Sequence, residues 1–280
     1  MIGEHMRVVL LGPAIEDSFL KFLRRDAISN FFAFLDLKYY RGKTKFWIAL
    51  EDAEILGYLL EHDKRILNLR GDVRCAAELF NKASLIEADI NVEPRHLQTV
   101  EKFYEPTKPI GISRGKITTL LAMEVNKKRF RSVIRYDPKR LGGDEFNDLE
   151  KLYVKFYDEM ALGPITHDRI VETQNRCLTF GVYEGGELVS FASGSILEDV
   201  GHVAPVYTSP KFRGKGYATS ACSALVRELL SQRDKTILYT PEDDIPAIRV
   251  YEKIGFAKTG HRFLTFWGRK IQNSLLKVSE

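Results

Sequence analysis

Apolar and polar residues follow two periods along this 280-residue chain, one near two residues and one near 3.6, and the switches between them mark the elements. The pattern is clearest in the second half. Residues 132–136 read as a short strand. Residues 144–160 carry Phe146, Leu149, Leu152, Tyr153 and Phe156 at helical spacing, and 166–175 read as a shorter helix with Thr166 as its N-cap. Strands over 177–183 and 188–196 flank Glu184-Gly185-Gly186-Glu187, where the glycine pair tolerates the positive φ of a tight hairpin. A strand over 201–208 runs into a glycine-rich loop and then a helix whose Ala218, Ala221, Cys222, Leu225 and Leu229 share one face. A strand at 236–239, a helix at 245–254 and one or two closing strands within 256–267 complete the half.

The first half repeats this order more faintly. Helices are expected over 15–24 and 31–39, strands over 46–50, 55–61 and 65–69, a helix over 75–82 and a strand over 85–88. Behind Pro94 a helix covers 95–104, and a long strand covers 116–125. The fold class is therefore α/β, with a mixed sheet flanked by helices in each half. The repeated order reads as a degenerate tandem duplication; an unrelated α/β first half stays open as the alternative. A polar, basic stretch at 126–130 sets the expected division into domains 1–128 and 129–280.

Composition narrows the classes. With 44% apolar and 29% charged residues, the chain has the make-up of a soluble globular protein and not of a disordered or collagen-like one. The excess of 42 Lys plus Arg over 38 Asp plus Glu is not gathered into an arm, so nucleic acid is not expected as a partner, while an anionic small molecule suits the charge. No apolar run spans a bilayer, and the start lacks the pattern of a signal peptide. Cys75, Cys177 and Cys222 form no zinc spacing, and the six histidines include no HExxH. The expectation is a cytoplasmic protein without metal, buried thiols reduced, as a monomer or homodimer.

One segment stands out: Val206-Tyr207-Thr208-Ser209-Pro210-Lys211-Phe212-Arg213-Gly214-Lys215-Gly216-Tyr217-Ala218-Thr219. An apolar strand ends at a proline, a basic glycine loop follows, and a helix opens. First-turn amides of a helix lack intrahelical acceptors, and the helix dipole adds roughly half a positive charge there. Gly214 and Gly216 let the backbone approach a ligand, so several N–H groups can converge on phosphate oxygens, with Lys211, Arg213 and Lys215 at the rim. The loop fits neither GxxxxGK[ST] nor GxGxxG.

In this context the segment resembles the GNAT N-acetyltransferase superfamily, whose motif Q/R-x-x-G-x-G/A is met by Arg213, Gly216 and Ala218. A second block, Ala247-Ile248-Arg249-Val250-Tyr251-Glu252-Lys253-Ile254-Gly255-Phe256, is similar to the family's A-x-x-x-Y-x-K-x-G-F. The resemblance covers residues 131–269 and reaches the first half only through element order, implying two GNAT-like domains in tandem.

The resemblance implies transfer of an acetyl or other acyl group from acetyl-CoA, as the acyl-donor substrate, to a primary amine. It places the pyrophosphate on the amides of Arg213, Gly214, Lys215, Gly216, Tyr217, Ala218 and Thr219. The pantetheine arm would lie along Val206, Tyr207 and Thr208 in a slot opened beside a bulged strand, with the Val206 N–H on the thioester carbonyl. Tyr251 would serve as the acid for the departing thiolate; a core tyrosine is the structural alternative. For the base, counting back from Val206 in steps of two along a regular strand gives Ala204, His202, Val200 and Glu198 on one face. His202 is the first candidate because imidazole titrates near neutrality, Glu198 the second and Asp199 a third; a structural histidine is the other reading. The family's asparagine seven residues before the tyrosine is replaced by Asp244, which would cap the helix or help bind a cationic acceptor.

The equivalent first-half loop, Leu67-Asn68-Leu69-Arg70-Gly71-Asp72, has one glycine followed by an acid, so this half is expected to bind no coenzyme A. The aromatic-rich run at 29–35 reads as ordinary core, with an acceptor-facing patch as the alternative. The leading function is an acyl-CoA-dependent N-acetyltransferase acting on a small-molecule or protein amine. A glycine-N-acyltransferase-like enzyme with a longer acyl donor, and a sensor or scaffold that binds the carrier without transfer, are the alternatives.

Overall fold

A computed structural model describes residues 6–108, 116–160 and 162–271. The chain falls into two compact units, one made of residues up to Leu120 together with those from His261, the other running from Leu121 to Gly260.

The first unit begins with β1 (Arg7–Leu10), α1 (Pro13–Arg24) and α2 (Phe31–Tyr39), followed by β2 (Thr44–Glu51), β3 (Glu54–His62) and β4 (Ile66–Gly71). Short helix α3 (Ala76–Asn81), β5 (Glu87–Val92), one-turn α4 (Leu97–Val100) and β6 (Tyr104–Lys108) complete it. Residues 95–104 thus form one helical turn and the start of a strand, not the longer helix expected. The strands lie in the order β1-β2-β3-β4-β5, antiparallel except for the parallel pair β4–β5. Phe31, Ala33 and Phe34 are buried, as core residues of α2.

The second unit contains β7 (Thr118–Asn126), β8 (Pro138–Arg140), α5 (Phe146–Glu159), α6 (His167–Gln174), β9 (Leu178–Glu184), β10 (Glu187–Leu197) and β11 (Val200–Thr208). It continues with α7 (Tyr217–Gln232), β12 (Lys235–Pro241) and α8 (Ile245–Ile254) and runs into β13 (Ala257–Lys270). Its strand order is β7-β12-β11-β10-β9-β8. Gly185 and Gly186 turn the β9–β10 hairpin at φ +56° and +81°. Thr166 caps α6 by accepting from the Arg169 N–H at 3.3 Å. Core side chains fill both faces of this sheet. Leu225, Val226 and Leu229 of α7 pack on one face with Val203 and Leu238, while Leu149, Leu152 and Tyr153 of α5 pack on the other with Phe191 and Tyr207.

Two features differ from the sequence expectation. Residues 132–136 form no strand. The backbone N–H of Val133 donates to Ser223 Oγ at 2.9 Å, and those of Arg135 and Tyr136 donate to Ser220 Oγ at 3.0 and 3.2 Å. Helix hydroxyls, not a neighbouring strand, satisfy this segment. Secondly, β13 is a single strand bending at Gly260 (φ +90°), and its residues 264–269 pair with β5 in the first unit. Division at 120/121 and 260/261 therefore differs from the expected single boundary near 128: the last strand completes the sheet that the first half begins.

Candidate active site

The loop after β11 has the geometry its glycines predict. Gly214 and Gly216 lie at φ +77° and +100°, with Gly216 as the left-handed N-cap of α7. A Cβ on Gly214 would meet nothing within 4 Å, so the backbone there is open to approach. Below it, Phe212 N–H donates to the Ser209 carbonyl at 2.9 Å and Arg213 N–H to Pro210 at 3.2 Å. Among the described residues, the amides of residues 214–219 meet no acceptor. A run of oriented donors at a helix N-terminus favours an anion.

Beside the loop the sheet opens. Strand β11 pairs in parallel with β12 only through Val200–Lys235, Gly201–Thr236 and His202–Ile237. Past that point the two strands make no further ladder pairs, although β11 continues to Thr208 and β12 to Pro241. The other edge of β11 stays on β10, with a bulge: Ala192 faces Val206 and Gly194 faces Val203, so one extra residue of β11 is accommodated around Pro205. Proline, having no N–H, fits a position where the ladder is broken.

The bulge overturns the expectation that Val206, Ala204, His202, Val200 and Glu198 share a face. Inserting one residue reverses the alternation. Val203 and Val206 both pack on the α7 side, whereas His202 stands across from Ser195 on the opposite face, its ring 5.6 Å from that of Tyr239. Burial lowers the His202 imidazole to about 3, so it is neutral and a poor proton acceptor near neutrality. Glu198 is not on the strand. It occupies the β10–β11 turn at φ +50°, its carbonyl accepting from Arg233 at 2.8 Å, roughly 20 Å along the strand from Val206. Asp199 shares that exposed turn.

Tyr251 lies on α8 and is 9% exposed, in the core with Cys222 and Phe256. Burial pushes its phenol well above the ordinary value, so it stays protonated through the neutral and alkaline range. The helix ends in a Schellman motif: Phe256 N–H donates to the Tyr251 carbonyl and Gly255 N–H to Glu252, both at 3.1 Å. Gly255 has φ +109°, and a Cβ there would come within 2.1 Å of the Arg129 carbonyl oxygen, which accounts for the glycine in the second block. Asp244 caps α8 by accepting from the Ala247 N–H at 3.1 Å.

Two partners of the loop were not legible in the sequence. Glu159, at the end of α5, accepts through Oε2 from Arg213 at 2.6 Å and from the Tyr207 hydroxyl at 3.1 Å. Arg213 also donates to the Thr208 carbonyl at 2.9 Å and lies 5.5 Å from the Tyr207 ring centre. The motif arginine, though partly exposed, is thus engaged by the protein, tying the loop to β11 and α5. Its hydrogen bond holds the Glu159 carboxyl below the usual range. The second partner is Tyr136, whose hydroxyl donates to the Lys215 carbonyl at 3.1 Å and whose ring stacks on Tyr217 at 4.1 Å. Only the spacing of Glu159 on an amphipathic helix was visible beforehand, and it marks nothing special.

The corresponding turn of the first unit is built differently. The Arg70 guanidinium donates to the Asn91 carbonyl at 3.1 Å and to its Oδ1 at 2.5 Å, bridging β4 to β5 where the second unit's strands part. Asp72 accepts from the Arg74 N–H at 2.9 Å. The three cysteines are unpaired, and among the described residues no group of His, Cys, Asp or Glu is arranged to hold a metal. No helix among them is long and apolar enough to cross a membrane.

Residues 145–256 match the family model described as Acetyltransferase (GNAT) family. No curated protein matches the chain. The fold is similar to that of a GCN5-related N-acetyltransferase from Sphaerobacter thermophilus, at 14% identity over 96% of this chain and 97% of the other, with a TM-score of 0.65. A Drosophila protein aligns over 97% and 100% at 14% identity and a TM-score of 0.68. A tandem GNAT protein from the clavulanic acid biosynthesis pathway aligns over 95% and 98%, also at 14% identity, with a TM-score of 0.61. At this identity the structural likeness speaks for the fold; the family model and the two sequence blocks speak for the lineage. Over residues 145–256 the chain carries an acetyltransferase domain of the GNAT family.

Proposed function

We propose that the second unit is an acyl-CoA-dependent N-acetyltransferase that moves acetyl from acetyl-CoA to a primary amine by direct attack. The observation that carries this reading is the row of amides over residues 214–219 with no acceptor among the described residues, set beside the parting of β11 from β12. Those amides would hold the pyrophosphate, and the pantetheine arm would lie along Val206, Tyr207 and Thr208. Side-chain charge is secondary, since Arg213 is committed to Glu159.

Bound acetyl-CoA supplies the thioester as the acyl donor. The chain's part is to hold it against the amine in aligned geometry, which accounts for much of the acceleration such sites achieve. The Val206 N–H, beside the bulge, is assigned to the thioester carbonyl, where it stabilises the negative charge that develops on oxygen. Tyr251 keeps its proton and donates to the departing sulfur. His202, whose buried imidazole is lowered to about 3, and Glu198, in the distant β10–β11 turn, are assigned no part in taking the amine's proton. The amine enters in its neutral form, the proton it loses on attack passes to water, and Tyr251 regains from water the one it gave. The first unit, with Arg70 across the place of the slot, is assigned no coenzyme A.

Calorimetric titration of the full chain with acetyl-CoA tests the reading, with Gly216→Asp as the control that puts a carboxylate where the pyrophosphate belongs. The wild type should bind and the variant should not. Equal affinity would remove the placement of the site. Thiol release should follow with some member of an amine panel, its rate rising with pH up to that amine's own pKa; binding without release for any amine would favour a sensor.

A further inference from the structure

The flank of the loop away from the slot carries its own set of cations and rings. In the strand order β12-β11-β10-β9-β8, the slot lies at the β11–β12 end, and residues 133–136 run along α7 towards β8 at the other end. Tyr136 closes against the loop from this side: its ring comes within 3.9 Å of a Cβ built on Gly216, and its hydroxyl holds the Lys215 carbonyl. That bond keeps a carbonyl oxygen, which would repel a phosphate, tied on the outside. The ring of Tyr217 stacks on Tyr136 and meets Phe212 edge-on at 6.0 Å. The cations continue the series, with Arg135 5.7 Å from the centre of Tyr136 and Lys215 5.5 Å from that of Phe212.

Arg135 is exposed, and among the described residues neither it nor Lys215 has a carboxylate within ion-pairing distance. Lys211, by contrast, is paired with Glu187 at 2.9 Å. The carboxylates near this flank are Asp137, next in the chain, and Glu184, which faces the Tyr217 hydroxyl. Two uncommitted cations therefore border an anion loop on the side opposite the slot.

A carrier with its acyl end in the slot and its pyrophosphate on the loop has a remaining end, a phosphorylated adenosine, that leaves the loop on a side other than the slot, and this flank offers it two cations. Resting on the function proposed above, we propose that Arg135, presented on the Tyr136 ring, reads the 3′-phosphate of that end and so distinguishes coenzyme A from its dephosphorylated form. A guanidinium suits the task, because its planar fork pairs with two phosphate oxygens at once. Lys215, at the loop itself, acts on the pyrophosphate common to both forms.

The test is calorimetric titration of the full chain with coenzyme A and with 3′-dephospho-coenzyme A, in the wild type, Arg135→Gln and Lys215→Gln. The wild type should favour coenzyme A by about five- to ten-fold, as expected of one exposed but bidentate pair, and less so as salt rises. Arg135→Gln should bind both forms as the wild type binds the dephosphorylated one, while Lys215→Gln should weaken both alike. Because Arg135 touches only a neighbouring ring, unchanged thermal unfolding of the variant is expected. Equal binding of the two forms by the wild type, or discrimination lost in Lys215→Gln and kept in Arg135→Gln, overturns this assignment alone. Binding of neither form by the wild type overturns it together with the proposed function.

Discussion

Glu159 joins three elements through one oxygen, and removing its charge gives a measurable prediction. In Glu159→Gln the amide oxygen can still accept from the Tyr207 hydroxyl, which is buried, but the ionic partner of Arg213 is gone. A well-formed hydrogen bond to a charged group contributes about 1.5–3 kcal/mol. Here the Arg213 and Glu159 side chains are 46% and 33% exposed, so water resolvates the arginine and the net effect falls to about 1 kcal/mol. That energy fixes the first residue of the loop, and a tenfold change in equilibrium corresponds to about 1.4 kcal/mol, so acetyl-CoA should bind about five-fold more weakly. Turnover at saturation should stay near that of the wild type, because Glu159 is a positioning residue. Calorimetric titration supplies the affinity and steady-state rates the turnover.

The pH dependence has a defined sign. The folded Glu159 carboxyl lies below the ordinary value of a glutamate, chiefly through the hydrogen bond from Arg213. The contact is therefore intact above that pH and is lost as pH falls through the depressed value. The gap between wild type and variant should be constant through neutrality and close in acid. Unchanged affinity at neutral pH, in a variant whose unfolding temperature has dropped, would refute the reasoning and leave Glu159 as a structural pin alone.

Tyr251→Phe should lower turnover by about a hundred-fold or more while leaving acetyl-CoA affinity unchanged, in line with the loss of a general acid; equal losses in both would assign the residue to packing. Since burial raises this phenol above its ordinary value, the wild-type rate should show no falling limb from it below about pH 10. Gly255→Ala should destabilise the protein by about 2–4 kcal/mol, from a left-handed φ of +109° and a methyl within 2.1 Å of the Arg129 carbonyl oxygen. Thermal unfolding should register a drop of several degrees, and an unchanged midpoint would show that the 128–130 segment yields freely.

Much of the second unit was legible because its signals are local. A glycine pair needing positive φ fixed the β9–β10 turn, Thr166 fixed the start of α6, and apolar spacing fixed α8 to the residue. The candidate loop was legible for the same reason, since first-turn amides and left-handed glycines are properties of a few consecutive residues. What lay beyond reach depends on meetings between distant ones. The two serines of α7 satisfy the backbone of residues 133–136, so a stretch with strand-like composition runs as irregular chain. The bulge opposite Ser193 is decided by how β11 fits β10, and it alone moves His202 to the face away from Val206.

The sequence by itself thus determined most helices and strands of the second unit, its turn and cap positions and the left-handed glycines of the loop proposed to hold an anion, each set by backbone preference and side-chain period within one segment. The tertiary structure alone decided which sheet receives residues 264–269, which carboxylate holds Arg213, and which ring closes against Gly216. Ladder hydrogen bonds are made by backbone common to every residue, so they carry no mark of their partner in the sequence. Only the packing of many side chains at once selects among the pairings they would allow.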